Sequence, residues 1–567
     1  MLKGKLKSEL IPTLVYSIIS IFYVYYQSSQ IISLWDFTNY TDLAVRILNG
    51  QIPYLNIPLY TQPGTFVEMA ISMLIFGKNI YAVYLVILIK QIFIGYMLSS
   101  LISRLFQNTL FDKLAVKIVW LVLFALLSPW SVVPQNTYDA DLAFAILLAI
   151  YLLINFDNFY SQNKYTNLFI NLMIVLIITY YPFFFKQTSG LVWLGFMHLY
   201  FFVTFIVFKN RMFRYLMLLD VIFISLIVYL EINFSFVSKW WQWAIQEPIE
   251  NRYLPFRAPL AQLQGMLEYS NIFQTITIIS IVLILVLRKF SINRTYLVFL
   301  LTSFIVIPIN FLQEYSLKSN YLEINWSLLL APSIFLILVI SMAFNIFNDS
   351  AFKIKMIVIF SIVTLITNYL AQGIVGSSYG FFQLYLFLIL LSSIPLVKKL
   401  KKDNLFVFKI ISLLLVPFVF SISVVYYSAS KIRMAYVRID EEIGRYPVLY
   451  SWIGTPGDYL EETQIGIDLF DKYIKKGRTA VWPGEDPVAL FGSSIPSTQI
   501  SLSDPTTNPF YNDVDSWLKE QKIEYVILKS RLQTPGMHQI SIDKLEEAAK
   551  DFDRIEKKGV YFVLQRK

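Results

Sequence analysis

The sequence predicts a polytopic α-helical membrane protein of about thirteen transmembrane helices, with a separate C-terminal α/β domain on the outer side. Three observations predict it. Of 567 residues, 56% are hydrophobic and only 15% are charged, where soluble chains carry roughly 25% charged residues. Apolar runs of membrane-spanning length recur from the N-terminal region to residue 427. From 428 onward those runs stop, and short helix-like and strand-like pieces alternate. The apolar runs are continuous rather than alternating, which excludes a transmembrane barrel.

The predicted spans lie near 10–26, 80–103, 116–130, 142–156, 167–184, 191–208, 215–234, 272–287, 295–312, 326–345, 356–372, 379–397 and 405–427. The first follows MLKGKLKSEL and resembles a signal peptide's charged head and core. No small-residue cleavage site follows it, so it is expected to be a retained helix. The segment GTFVEMAISMLIFG, 64–77, is apolar but short and contains Glu68. A run of that length is expected to be interfacial, re-entrant or buried. Charge placement agrees. With 64–77 not spanning, Lys3, Lys5, Lys7, Arg104, Lys113, Lys117, Lys209, Arg211, Arg214 and the cluster KKLKKD (398–403) share one side. The positive-inside rule makes that side cytoplasmic. The expected location is therefore a cell membrane, with the N-terminus in the cytoplasm. The transmembrane part is 1–427, with a first outer loop at 27–79 and a long outer loop at 235–271; the outer α/β domain is 428–567.

The formal net charge of +9 is written into short loops, as topology requires, and does not imply a nucleic-acid partner. Cysteine is absent and only two histidines occur, His198 and His538. Thiol catalysis, disulfides and thiolate metal sites are excluded, and a histidine-based centre is disfavoured.

The candidate chemistry lies on the outer side. The first loop, WDFTNYTDLAVRILNGQIPY (35–54), holds Asp36, Tyr40, Asp42 and Arg46, and Glu68 follows. Asp42 and Arg46 stand at i and i+4, a spacing that pairs charges on a helix. The second loop ends in Asp139 and Asp141 at the start of a span. Two readings stand: helix capping, which the backbone dipole favours, or an oxygen-ligand site for substrate or a divalent cation such as Mg or Mn. Lys186 in FFFKQTSGL sits at the edge of an apolar helix. It either snorkels to lipid phosphate or binds an anionic substrate group, with Gln187 and its neighbours as further donors. In the fourth loop Trp240, Trp241 and Trp243 suggest an amphipathic helix in the headgroup layer, or a sugar-stacking surface. Arg252 and Arg257 follow with Glu247 and Glu250. Charges toward span centres are few: Lys90, with Asp220 and Glu231 near the ends of one span. That weakens an ion or proton path.

The motifs of the first 190 residues resemble those of the GT-C membrane glycosyltransferases, the group containing protein O-mannosyltransferases, lipid A aminoarabinose transferases and family 39-like bacterial enzymes. Asp36, Tyr40, Asp42 and Ala44 are similar to the start of that group's first outer loop. Gly50, Pro53 and Tyr54 are similar to its G-x-x-P-Y, and Pro63 with Phe76-Gly77 to its end. Asp139 and Asp141 resemble its second acidic motif, and Lys186-Gln187 a KQ pair found in many bacterial members. Asn56 and Thr61-Gln62-Pro63 depart from the loop pattern, which moves the expected phosphate contact onto Lys186.

The resemblance implies inverting transfer of a sugar from a polyprenyl-phosphate donor to an acceptor glycan, lipid or protein. It implies Asp36 as general base, Tyr40, Asp42, Lys186, Gln187, Arg252 and Arg257 as substrate-binding residues, and Asp139 and Asp141 as metal or donor ligands. The alternatives are a lipid-linked sugar flippase or polysaccharide transporter, and a non-catalytic scaffold.

Overall fold

A computed structural model of the chain describes residues 2–28, 43–48, 50–55, 59, 61–77, 80–107, 112–126, 128, 130, 138–162, 168–209, 212–246, 352–377, 382–392, 457–482, 518–519, 522–529, 549–559 and 561–567. The expected spans at 272–287, 295–312, 326–345 and 405–427 lie outside these residues.

The membrane part is helical because no other open structure satisfies its backbone in hydrocarbon. Its elements are α1 (Leu2–Ser28), α2 (Gly64–Phe76), α3 (Ile80–Leu105), α4 (Leu114–Leu126), α5 (Tyr138–Gln162), α6 (Leu168–Thr179), a 3-10 turn (Tyr181–Phe184), α7 (Gln187–Phe208), α8 (Met212–Phe234), the short α9 (Phe236–Trp241) running into a π turn (Gln242–Gln246), α10 (Phe352–Ser377) and α11 (Phe382–Ser392). Among the described residues, four helical stretches are long and apolar enough to cross a membrane: Ala82–Leu105, Tyr138–Asn155, Gln187–Phe208 and Met212–Phe234.

The segment expected not to span forms α2. Its 13 residues rise only about 20 Å, short of a hydrocarbon core of about 30 Å. It buries Thr65, Phe66, Met69, Ala70, Ser72 and Met73 and leaves Ile71, Leu74, Ile75 and Phe76 exposed. The inner face carries the polar groups and the outer face is apolar, a distribution that suits contact with lipid.

Helix α1 packs on α3 and α4, α2 on α3, α3 on α5, α5 on α6, and α7 on α8 and α10. A buried polar chain ties four of them. Tyr16 Oη donates to Gln91 (2.7 Å), Gln91 donates to Ser128, and the Gln383 amide donates to Tyr16 Oη (2.7 Å) and to the Phe124 carbonyl (2.8 Å).

The turn between α6 and α7 is gripped from both sides. The Trp193 indole N–H donates to the Ile178 carbonyl at 2.8 Å. Gly64 of α2 and Gly190 of α7 both abut the turn's backbone. A Cβ on Gly64 would lie 2.5 Å from the Phe184 oxygen, and one on Gly190 would lie 2.6 Å from the Phe183 Cα.

The first outer loop is described from 43. A helical segment over 43–48 ends where Gly50, at φ 82°, donates to the Ile47 carbonyl (3.0 Å) and Gln51 to the Arg46 carbonyl (3.0 Å). This is a glycine-terminated helix end. Tyr54 then adopts φ 66°. Its hydroxyl donates to the Thr61 carbonyl (2.8 Å), and its ring meets Phe236 of α9 edge-on at 5.7 Å. The tryptophan helix α9 spans six residues. Trp240 and Trp243 pack on the core and Trp241 alone of the three is exposed, because the π turn rotates Trp243 inward.

In the C-terminal region, α12 (Gly457–Ile474) lies against a four-stranded sheet of β1 (Thr479–Trp482), β2 (Tyr525–Lys529), β3 (Phe552–Lys558) and β4 (Tyr561–Arg566). The order is β1-β2-β4-β3; β1 and β2 are parallel, and β4 pairs antiparallel with both β2 and β3. Leu469, Phe470 and Tyr473 of α12 pack on Tyr525, Ile527, Tyr561 and Val563. Among the described residues, α12 followed by β1 agrees with the alternation read in the sequence, and β3 and β4 form a hairpin.

Gly190→Ala is expected to force α7 off the turn and cost about 1–3 kcal/mol, as overpacking does. Thermal unfolding in detergent measures it; an unchanged midpoint would show that the turn yields freely.

Candidate functional site

Apolar packing brings α2, α3, α5 and the α6–α7 turn together, and their few polar side chains meet there. Lys90 is the single charged residue in the interior of α3. An ammonium amid an apolar span must find anionic partners. It donates to Asp141 of α5 at 2.6 Å and to Glu68 of α2. Trp130, Phe144 and Phe185 surround it, with ring centroids at 5.9, 5.6 and 5.6 Å, a cation–π cage. The second Asp141 oxygen accepts from Thr65 Oγ1 at 2.7 Å, and the second Glu68 oxygen accepts from Tyr181 Oη. The Tyr181 hydroxyl is the donor of that bond.

One helical step away a second pair forms. Lys186, which caps the start of α7, donates to Asp139 at 2.7 Å, and its ammonium lies 5.2 Å from the centre of the Tyr138 ring. Both side chains are at least nine-tenths buried. Burial lowers the Lys186 pKa below the ordinary lysine value, and the adjacent Asp139 only partly opposes that. Lys186 is therefore held inward, and snorkelling to lipid phosphate is not what its side chain does. Gln187 donates to the Ala244 carbonyl at 3.1 Å, which ties α7 to the π turn beside Lys186.

The two acids of α5 do not converge on one position. Residues two apart on a helix point to different sides, and each carboxylate faces its own lysine. A divalent cation at either would stand against an ammonium already within hydrogen-bond distance. Among the described residues, no group of three histidine, aspartate or glutamate side chains could hold a metal ion. The pair fits two charge-assisted contacts better than the cation site it suggested in sequence. Nor is Asp141 a plain cap, since its carboxylate oxygens go to Lys90 and Thr65.

Asp36, Tyr40, Asp42, Arg252 and Arg257 lie outside the described residues, as do Glu247 and Glu250. Arg46 is described and buried, at the end of the 43–48 segment. Of the other intramembrane charges, Asp220 accepts from Tyr180 Oη and faces His198 Nε2 at 3.1 Å. Glu231 accepts from the Val237 and Ser238 amides at 2.7 and 3.1 Å, folding the entry to α9.

Three members of the cluster are not among the residues picked out by motif or spacing: Glu68, Lys90 and Tyr181. The available signal was electrostatic: an isolated lysine in one apolar segment next to an isolated glutamate in the preceding one.

No family model matches the chain, and no curated protein matches it. Among solved structures it is similar to the crystal structure of ArnT from Cupriavidus metallidurans bound to undecaprenyl phosphate, with 11% identity, 97% of each chain covered and a TM-score of 0.39. It is similar also to the same protein in the apo state, with 12% identity, 97% of each chain covered and a TM-score of 0.37. A superposition this loose aligns no side chain, so the functional reading rests on the residues themselves.

Removing one partner of a buried pair strands the other charge and costs about 3–5 kcal/mol. Asp139→Leu is therefore expected to destabilise the protein by that amount, and Asp139→Leu with Lys186→Met to recover most of it. Thermal unfolding of the two variants in detergent checks this; equal destabilisation would mean that the pair is not energetically coupled.

Proposed function

We propose that the chain is an integral membrane glycosyltransferase that moves a sugar from a polyprenyl-phosphate donor to an acceptor at the outer face of a bacterial cell membrane. The observation that carries the reading is the convergence of Glu68, Lys90, Asp139, Asp141, Tyr181 and Lys186. They come from the helix of the first outer loop, two spans and the turn before α7, and they meet at one end of the bundle. A cluster of acids and lysines on the outer side of several spans suits a phosphate-linked substrate whose lipid remains in the membrane. Asp220 and Glu231, the charges that a transport path would need, are instead occupied within α6–α9.

The reaction forms one bond and breaks one. The acceptor hydroxyl oxygen attacks the anomeric carbon as the bond from that carbon to the phosphate oxygen breaks. The bonding electrons leave with the polyprenyl phosphate, and the configuration inverts. Asp36 is the proposed base that takes the hydroxyl proton, worth about 10²–10⁴-fold when the carboxylate is in reach. Lys186 is the proposed cation for the leaving phosphate, with Arg252 and Arg257 as further contacts to its oxygens. Tyr40 and Asp42 are proposed to line the substrate side of the first loop. The outer C-terminal domain is proposed to face the acceptor.

Purified full-length protein in nanodiscs, supplied with undecaprenyl-phosphate hexoses and a panel of glycan, lipid and peptide acceptors, tests the reading. Asp36→Asn is expected to lower transfer roughly 10²–10⁴-fold with folding retained; equal activity would remove Asp36 as base. Translocation of the intact lipid-linked sugar across liposomes without transfer would favour the flippase.

The pH profile tests Lys186. A lysine whose pKa is held low by burial is charged on the acid side of that pKa and loses its charge as pH rises through it. Transfer is therefore expected to fall on the alkaline limb at a lower pH than an ordinary lysine would set. Lys186→Arg, whose charge persists above pH of about 12, is expected to move that limb upward. An alkaline limb that does not move would show that Lys186 does not set it.

A further inference from the structure

We infer that Glu68 is a sugar-recognising residue, accepting hydrogen bonds from donor-sugar hydroxyls at the mouth of the buried cluster. This rests on the transferase reading and assigns a group to it that neither the motifs nor the spacing singled out.

The inference begins with charge. Lys90 is neutralised by Asp141, whose side chain is wholly buried, at 2.6 Å. Glu68 is a second carboxylate on the same ammonium, so the trio carries one excess negative charge. An excess carboxylate persists only where it reaches donors or water. Glu68 is the member of the cluster that does so. Its side chain is 21% exposed, against 5% for Lys90 and none for Asp141.

Its geometry suits recognition. An ionised carboxylate offers about four acceptor positions. Tyr181 takes one on Oε1 and Lys90 one on Oε2, which leaves one on each oxygen. The two donors come from different elements, the turn before α7 and the centre of α3, and so fix the carboxylate in orientation. A fixed side chain loses little freedom on binding. Two adjacent free acceptor positions match a pair of neighbouring sugar hydroxyls. Its partner Tyr181 belongs to the turn that leads into Lys186, the proposed phosphate contact.

The test uses full-length protein in nanodiscs and undecaprenyl-phosphate glucose, mannose and galactose, each with its set of mono-deoxy analogues. Both transfer and direct binding by tryptophan fluorescence are measured. Hydrogen bonds to charged groups support selectivity of about tenfold to a hundredfold. Wild-type protein is therefore expected to discriminate against one or two deoxy positions by that factor. Glu68→Gln is expected to bring the ratio close to one while the remaining hydroxyls keep theirs. Wild-type protein that transfers sugar without preference at any hydroxyl would overturn the assignment, as would a Glu68→Gln profile identical to wild type. Both results would leave the transferase reading standing. Protein that neither transfers nor binds any of these lipids overturns the transferase reading and the assignment together. Should Glu68→Gln not fold, Tyr181→Phe releases one oxygen while keeping the carboxylate. Its discrimination is expected to fall severalfold, and an unchanged ratio overturns the assignment.

Discussion

The meeting of α2, α3 and α5 depends on one ammonium. Lys90 lies in the middle of α3 among Trp130, Phe144 and Phe185, where a cation is costly without partners. Asp141 and Glu68 are those partners, and they come from α5 and α2. The requirement to satisfy Lys90 therefore joins α3, the short helix α2 and α5 at one point. Thr65 and Tyr181 then complete the two carboxylates, which adds the α6–α7 turn to the same assembly. A fully satisfied buried network specifies a single arrangement more sharply than apolar packing does.

The turn before α7 is the second constraint. Gly64 and Gly190 let α2 and α7 close on its backbone, and Trp193 anchors the end of α6. Only with those contacts can Tyr181 reach Glu68 while Lys186 turns inward to Asp139. The glycines are thus a backbone requirement, and the chemistry at 181 and 186 follows from them. Tyr54 plays a similar part on the far side: its left-handed backbone and its contact with Phe236 hold the first loop against α9.

Much of the site was legible as residue types and little of it as pairing. Asp139, Asp141 and Lys186 stood out because polar residues at the edges of apolar spans are conspicuous. The metal reading of the two acids followed from their adjacency in sequence. On a helix, side chains at i and i+2 diverge, and each acid faces a different lysine. Glu68 was visible but looked like one more loop charge, and Lys90 looked like an exception to an apolar rule. Their meaning lay in each other, twenty-two residues apart, and no local pattern encodes that distance.

The sequence by itself determined the helical class of the protein, the helical character of its apolar segments and the shortness of the helix at 64–76. It also determined the helix and strand alternation at the C-terminus. Those features follow from hydrophobic length and period, which are local and additive along the chain. Tertiary structure alone decided which carboxylate serves which lysine, that Trp240 and Trp243 face the core, and that Glu68 stays open while Asp141 is sealed. The reason is physical. Burying an ionised group is so costly that its partner is chosen by whatever the packed helices bring within about 3 Å, and that choice is made in space rather than along the chain.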